Sequence, residues 1–135
     1  MMFRNLFFTF LIAGFLLIPA ISSAATLLIG DKVAVEADEV IEGDYYVSVG
    51  PLGTTVMSGT VTGDMYSLAG SVTANGSIEG DFGAISGLAY MHASVTDDVR
   101  IVAGEAVIDD VVGGDVFVIA GVLKILSTAK IGGDV

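Results

Sequence analysis

The feature that most limits how this chain can fold is a period. Thr60 to Gly76 reads TVTGDMYSLAGSVTANG, and the next two blocks, SIEGDFGAISGLAYMHA (Ser77 to Ala93) and SVTDDVRIVAGEAVIDD (Ser94 to Asp110), are near-copies of it. A unit this short cannot bury its own apolar face, so each copy must lie against the next, and the repeat implies a stacked, quasi-one-dimensional architecture.

With the turn aspartate as origin, the series runs Asp44, Asp64, Asp81, Asp98, Asp115 and Asp134, at intervals of 20, 17, 17, 17 and 19 residues. Three residues before each stands a β-branched apolar residue: Ile41, Val61, Ile78, Val95, Val112 and Ile131. Six residues after stands a glycine, at Gly50, Gly70, Gly87, Gly104 and Gly121. Glycine at a fixed phase marks a structural turn, through a positive φ or a corner too crowded for a Cβ. Each coil therefore has one corner at Gly-Asp and another at the later glycine.

Between these corners the segments are short, alternate, and are rich in Val, Ile, Thr, Tyr and Phe, as in Val72-Thr73-Ala74 and Leu123-Lys124-Ile125. From Val40 onward there is no helical pattern. The expected fold is all-β: a single-stranded parallel β-helix of about six coils, each of ~17 residues in about three short strands, following an N-terminal signal helix. The preference of parallel crossovers makes it right-handed. Stacking at about 4.8 Å per coil gives a rod roughly 29 Å long. A hexapeptide helix is excluded because sixes from Ile78 fall on Ala84, Tyr90 and Thr96; a calcium nonapeptide roll is excluded because Gly113-Gly114-Asp115 lacks its spacing.

Residues 1–25 have another task. Arg4, the apolar run Leu6 to Ile18, Pro19 and the small residues Ser22-Ser23-Ala24-Ala25 have the form of a cleaved secretory signal. The run is 13 residues, shorter than the roughly 18 a spanning helix needs. The expected location is extracytoplasmic, secreted, periplasmic or associated with the cell envelope. Residues 26–39 read as an entry or capping segment, a shortened coil or lid bearing Asp31, and residues 40–135 as the repeat domain. That domain stops part-way into a coil at Ile131-Gly132-Gly133-Asp134-Val135, so the sequence reads as truncated there.

After residue 25 the chain carries Lys32, Arg100, Lys124 and Lys130 against sixteen acidic residues, 4 − 16 = −12. This balance disfavours nucleic acid and anionic membranes as partners. There is no cysteine, so no disulfide or lipidated cysteine contributes.

Two constellations could carry chemistry. Asp44, Asp64, Asp81, Asp98 and Asp115 should stack into a ladder, where neighbouring carboxylates repel by about 1 kcal/mol in water and a cation would relieve the repulsion; the plainer role is turn chemistry, each side chain bonding nearby amides. The second is the strand after each aspartate. In Val116-Phe117-Val118-Ile119-Ala120 every residue is apolar, although alternate side chains face opposite ways. If Tyr45, Met65, Phe82, Val99 and Val116 point inward, then Tyr46, Tyr66, Arg100 and Phe117, with Leu68, Ile85, Val102 and Ile119, form an external sheet of roughly 380 Å². Such a face suits self-association. The lone His92 occupies a corner phase shared with Asn75 and Asp109 and reads as a solvated turn residue. Arg100 with Lys124 imitates the mixed-charge groove of a pectin-degrading β-helix only thinly, so no enzyme and no cofactor is expected.

The entry segment LLIGDKVAVEADEVIEGDYYVSVG, followed by coils of the form V-x-G-D-x-x-x-x-x-G-x-V, resembles the bactofilin-like, polymer-forming cytoskeletal proteins of bacteria, and more closely their secreted or membrane-associated branch. The resemblance covers Leu28 to Val135. It implies a right-handed β-helix that polymerises end to end without nucleotide and serves as a scaffold in or near the envelope. The expected function is therefore a non-enzymatic, self-associating scaffold whose partners are further copies of itself, end to end or laterally, and envelope components. The alternative is a surface binding module, holding glycan on Tyr46, Tyr66 and Phe117 or divalent cations on the aspartates.

Overall fold

The computed structural model describes residues 25–135, and the signal-sequence reading of residues 1–25 lies outside them except for Ala25, the first residue of β1. Strands alternate long and short along the chain: β1 (Ala25–Val35), β2 (Val40–Ile41), β3 (Asp44–Met57), β4 (Thr60–Val61), β5 (Met65–Ala74), β6 (Ser77–Ile78), β7 (Phe82–Met91), β8 (Ser94–Val95), β9 (Val99–Ile108), β10 (Val111–Val112), β11 (Val116–Ile125) and β12 (Lys130–Ile131). The long strands pair in parallel in the order β1-β3-β5-β7-β9-β11, and the short ones in the order β12-β10-β8-β6-β4-β2. One long and one short strand make one turn, so the described residues wind a parallel β-solenoid of six turns.

Three short strands per coil were expected, and hydrogen bonding gives two sheets. The long strand carries the first two expected segments as one, bending at its central glycine. Pairing of β5 with β7 runs Met65↔Phe82 to Ala69↔Ser86 and resumes at Ser71↔Leu88, passing over Gly70 and Gly87. The register is otherwise constant at one repeat through β7, β9 and β11, so like residues form columns.

Side-chain alternation about that register builds the core. Tyr45, Met65, Phe82, Val99 and Val116 all point inward and are buried, as the phase argument required. Val61, Ile78, Val95 and Val112 face them from the short sheet, and Met57, Ala74, Met91 and Ile108 close the third side. These columns form one continuous apolar core, which no single turn could enclose. Burial pushes the phenol of Tyr45 above its ordinary pKa, and the charge of Glu39 adds to the effect.

Of the two causes open for the recurring glycines, positive φ holds among the described residues only at Gly43, at 84°. Crowding is the cause at most of the others. A Cβ on Gly63, Gly80, Gly114 or Gly133 would collide with the Oδ1 of the aspartate one coil earlier. Asp97 takes this phase in one coil, and its amide bond to the Gly80 carbonyl lengthens to 3.2 Å, against 3.0 Å for Gly80 to Gly63.

The entry segment, expected to be a shortened coil or a lid, is a whole turn. β1 pairs along its length with β3, with Ala25 opposite Asp44, so Ala25 and not Asp31 holds the aspartate phase. Asp31 lies at the irregularity between Gly30 and Lys32. Opposite it, the three extra residues of the Asp44 coil are accommodated: pairing with β5 steps from Ser48↔Leu68 to Thr54↔Ser71, and the insertion leaves Leu52 98% exposed. The insertion folds over the next corner, where a Cβ on Gly70 would meet the Pro51 carbonyl.

Candidate functional site

The Gly-Asp corner is a hydrogen-bonded ladder. Asp44 Oδ1 accepts the amide N–H of Asp64 at 2.9 Å, Asp64 that of Asp81 at 2.7 Å, Asp81 that of Asp98 at 2.9 Å, Asp98 that of Asp115 at 2.9 Å, and Asp115 that of Asp134 at 2.9 Å. Each carboxylate thus satisfies the amide of the corner aspartate one coil on, and where that aspartate follows a glycine the missing Cβ leaves room for the oxygen. Repulsion along the column is met partly by these donors and partly by Arg100, whose guanidinium reaches Asp81 Oδ2 at 3.0 Å and Asp98 Oδ2 at 2.9 Å. Among the described residues, no three His, Cys, Asp or Glu side chains come together as a metal ion would require.

The Asp98 amide, ahead of Arg100, holds the carboxyl of Asp81 below the usual carboxylate range. A carboxyl depressed in the folded state contributes stability above its unfolded pKa of about 3.9, and this is lost as pH falls through the folded value. Asp81→Asn keeps an oxygen for the amide but loses the charge. In urea titrations the variant should therefore be less stable than wild type at pH 6, and the gap should narrow as pH falls below the unfolded pKa of about 3.9 and close once pH lies below the depressed folded value.

Outside the core, the long sheet carries the apolar surplus. Tyr46, Leu68, Ile85, Val102, Phe117 and Ile119 are exposed on one face and Tyr66 is half-buried on it. The register sets Tyr46 beside Tyr66, then Gly83, Arg100 and Phe117, while Leu68, Ile85, Val102 and Ile119 form the parallel column two residues on. The structure therefore brings together every residue that the sequence assigned to this face. The Tyr46 and Tyr66 rings stack with centroids 5.7 Å apart and planes 15° from parallel. Burial pushes the Tyr66 phenol up, reinforced by Asp64 and Asp81.

Gly83 was not singled out in the sequence, and it shapes this face most. Tyr66 leans across it so closely that a Cβ there would strike the ring. Its signal was available, since Gly83 breaks a column otherwise filled by Tyr, Arg and Phe.

The remaining polar groups lie elsewhere. His92 Nδ1 pairs with Asp109 Oδ2 on the following coil, and its ring lies parallel to Tyr90. The corner phase put these groups in one column; their contact was not anticipated. Lys124 Nζ reaches Glu105 Oε1 at 3.0 Å on the second half of the long strands, while Arg100 is held at the aspartate corner, so the two cations do not form a common groove. No helix among the described residues is long and apolar enough to cross a membrane.

What these elements define is a parallel β-solenoid with a polar aspartate corner and one apolar lateral face. The chain matches no known family model, no curated protein and no solved structure in comparisons with each.

Proposed function

We propose that this chain is a non-enzymatic structural protein, a right-handed solenoid that self-associates coil on coil as a scaffold of the bacterial cell envelope. The observation that supports this reading is the constant register of the coils: β7, β9 and β11 stack at one repeat, so like residues fall in columns and every coil presents the same cross-section to the next. A cross-section repeated in this way fits a coil of a second copy in the same register, and strand edges are the surfaces on which β proteins assemble. The resemblance to polymer-forming cytoskeletal proteins supports the same mode, and the signal-like N-terminus supports an extracytoplasmic setting. The lateral face is too small for this task alone: its roughly 380 Å² is about half of what each partner contributes to a standard interface.

Sedimentation and electron microscopy of the purified protein test the proposal. Wild type should form elongated, concentration-dependent assemblies. Ile125→Lys, which sets a charge at the β11 end of the Met91-Ile108 column, should remain monomeric with an unchanged β circular dichroism spectrum. A wild type that stays monomeric at high concentration, or an Ile125→Lys variant that assembles equally well, would overturn it.

A further inference from the structure

The lateral face is not flat. Gly83 leaves a gap in the column of Tyr46, Tyr66, Arg100 and Phe117, and Arg100 is drawn away towards the aspartate corner by Asp81 and Asp98. Across from this gap, Leu68, Ile85 and Val102 form an unbroken ridge. Between them a groove of about 470 Å³ runs along the solenoid axis from Leu27 on β1 to Phe117 on β11. Five inter-strand steps of about 4.8 Å make it roughly 24 Å long, and its volume is within the range of small-molecule sites.

Size, charge and hydrogen bonding narrow the occupant. A second copy of the chain would gain too little area here, and two such molecules carry −12 each after residue 25 (4 − 16). An added peptide strand finds no free backbone edge, because β3, β5, β7 and β9 are paired on both sides. A sugar needs several hydrogen bonds, yet the Arg100 donors are engaged by carboxylates and most of the lining is aliphatic or aromatic. An acyl chain needs none of these. Half of a bilayer's hydrocarbon core is about 15 Å, the length of one ordinary chain, and the groove accommodates it with room to spare.

We propose that this groove binds a single neutral acyl chain, laid parallel to the solenoid axis between the Leu68-Ile85-Val102 ridge and the Tyr46-Tyr66 pair. The tyrosines cover one end of the chain, and Gly83 lets the Tyr66 ring lie down over its backbone, where a larger residue would push the ring up into the groove.

Glycerol monolaurate, titrated below its micellar concentration into purified protein and followed by calorimetry and tyrosine fluorescence, tests the proposal. Wild type should bind saturably with one chain per solenoid, and glycerol alone should not bind. Ile85→Asp, on the outer surface, should weaken binding at least about tenfold, and Gly83→Ala should weaken it by pressing Tyr66 into the groove. Val111→Asp, on the short sheet, should bind as wild type does. Ile125→Lys, built to prevent assembly, should bind with full affinity, which separates this site from the scaffold reading. Absence of saturable binding, wild-type affinity in both groove variants, or loss of binding in Ile125→Lys would overturn the proposal.

Discussion

Gly76→Ala is expected to cost about 3 kcal/mol and to lower the melting temperature by on the order of 10 °C, while Gly50→Ala should leave it almost unchanged. Both are corner glycines with ordinary φ, so their difference lies in what stands opposite. A Cβ on Gly76 would fall on the carbonyl oxygen of Gly59, with the Gly59 carbonyl carbon and the Ser58 oxygen each 2.8 Å away. These are backbone atoms of the neighbouring coil. The Gly59 oxygen already accepts the N–H of Ser77 at 3.0 Å, so moving it breaks a rung of the stack. A Cβ on Gly50 meets nothing within 4 Å, and the alanine there also restricts the unfolded chain. Thermal melts of the two variants check this, and equal losses would show that backbone freedom, not crowding, governs the corners.

The second large effect uses two phenylalanines in adjacent phases. Phe82, one residue after its aspartate, is 1% exposed inside the solenoid; Phe117, two residues after its own, is 60% exposed on the lateral face. Phe82→Ala should therefore cost about 3–5 kcal/mol, because the columns of Met65 and Val99 above and below it are fixed by ladder pairing and cannot collapse into the cavity. Phe117→Ala should change stability by no more than about 0.5 kcal/mol. Chemical denaturation of the two variants measures the difference, and comparable losses would mean that the inside and outside of the long strand are misassigned.

These variants also indicate how far the sequence could be read. The 17-residue interval by itself places Met65, Phe82 and Val99 in one column, because strand alternation and a fixed period leave one arrangement that buries them together. The lateral face was legible for the same reason: in a strand apolar at every position, one set must face out. The gap at Gly83 was harder to read, since a column tolerates a missing member without changing its period, and only the tilt of Tyr66 across the gap gives it a shape.

The corners were read less completely. A recurring Gly-Asp pair suits a turn of either kind, and sequence alone could not distinguish a glycine needed for its φ from one needed to admit an aspartate oxygen from the previous coil. The ladder of carboxylate to next-coil amide is a contact between residues 17 to 20 apart, invisible to local turn rules. Asp31 misled for a related reason. It follows glycine as the true column members do, but pairing of Ala25 with Asp44 sets the phase from the strand and not from the dipeptide.

The sequence by itself determined the solenoid, the number of its turns and the sorting of residues into inner and outer columns, because all three follow from periodicity and from the need to bury apolar side chains. Tertiary structure alone decided which carboxylate meets which amide, how Arg100 bridges Asp81 and Asp98, and where the lateral face opens into a groove. Those features depend on ångström-scale approach between neighbouring coils, and a period fixes only which residues become neighbours.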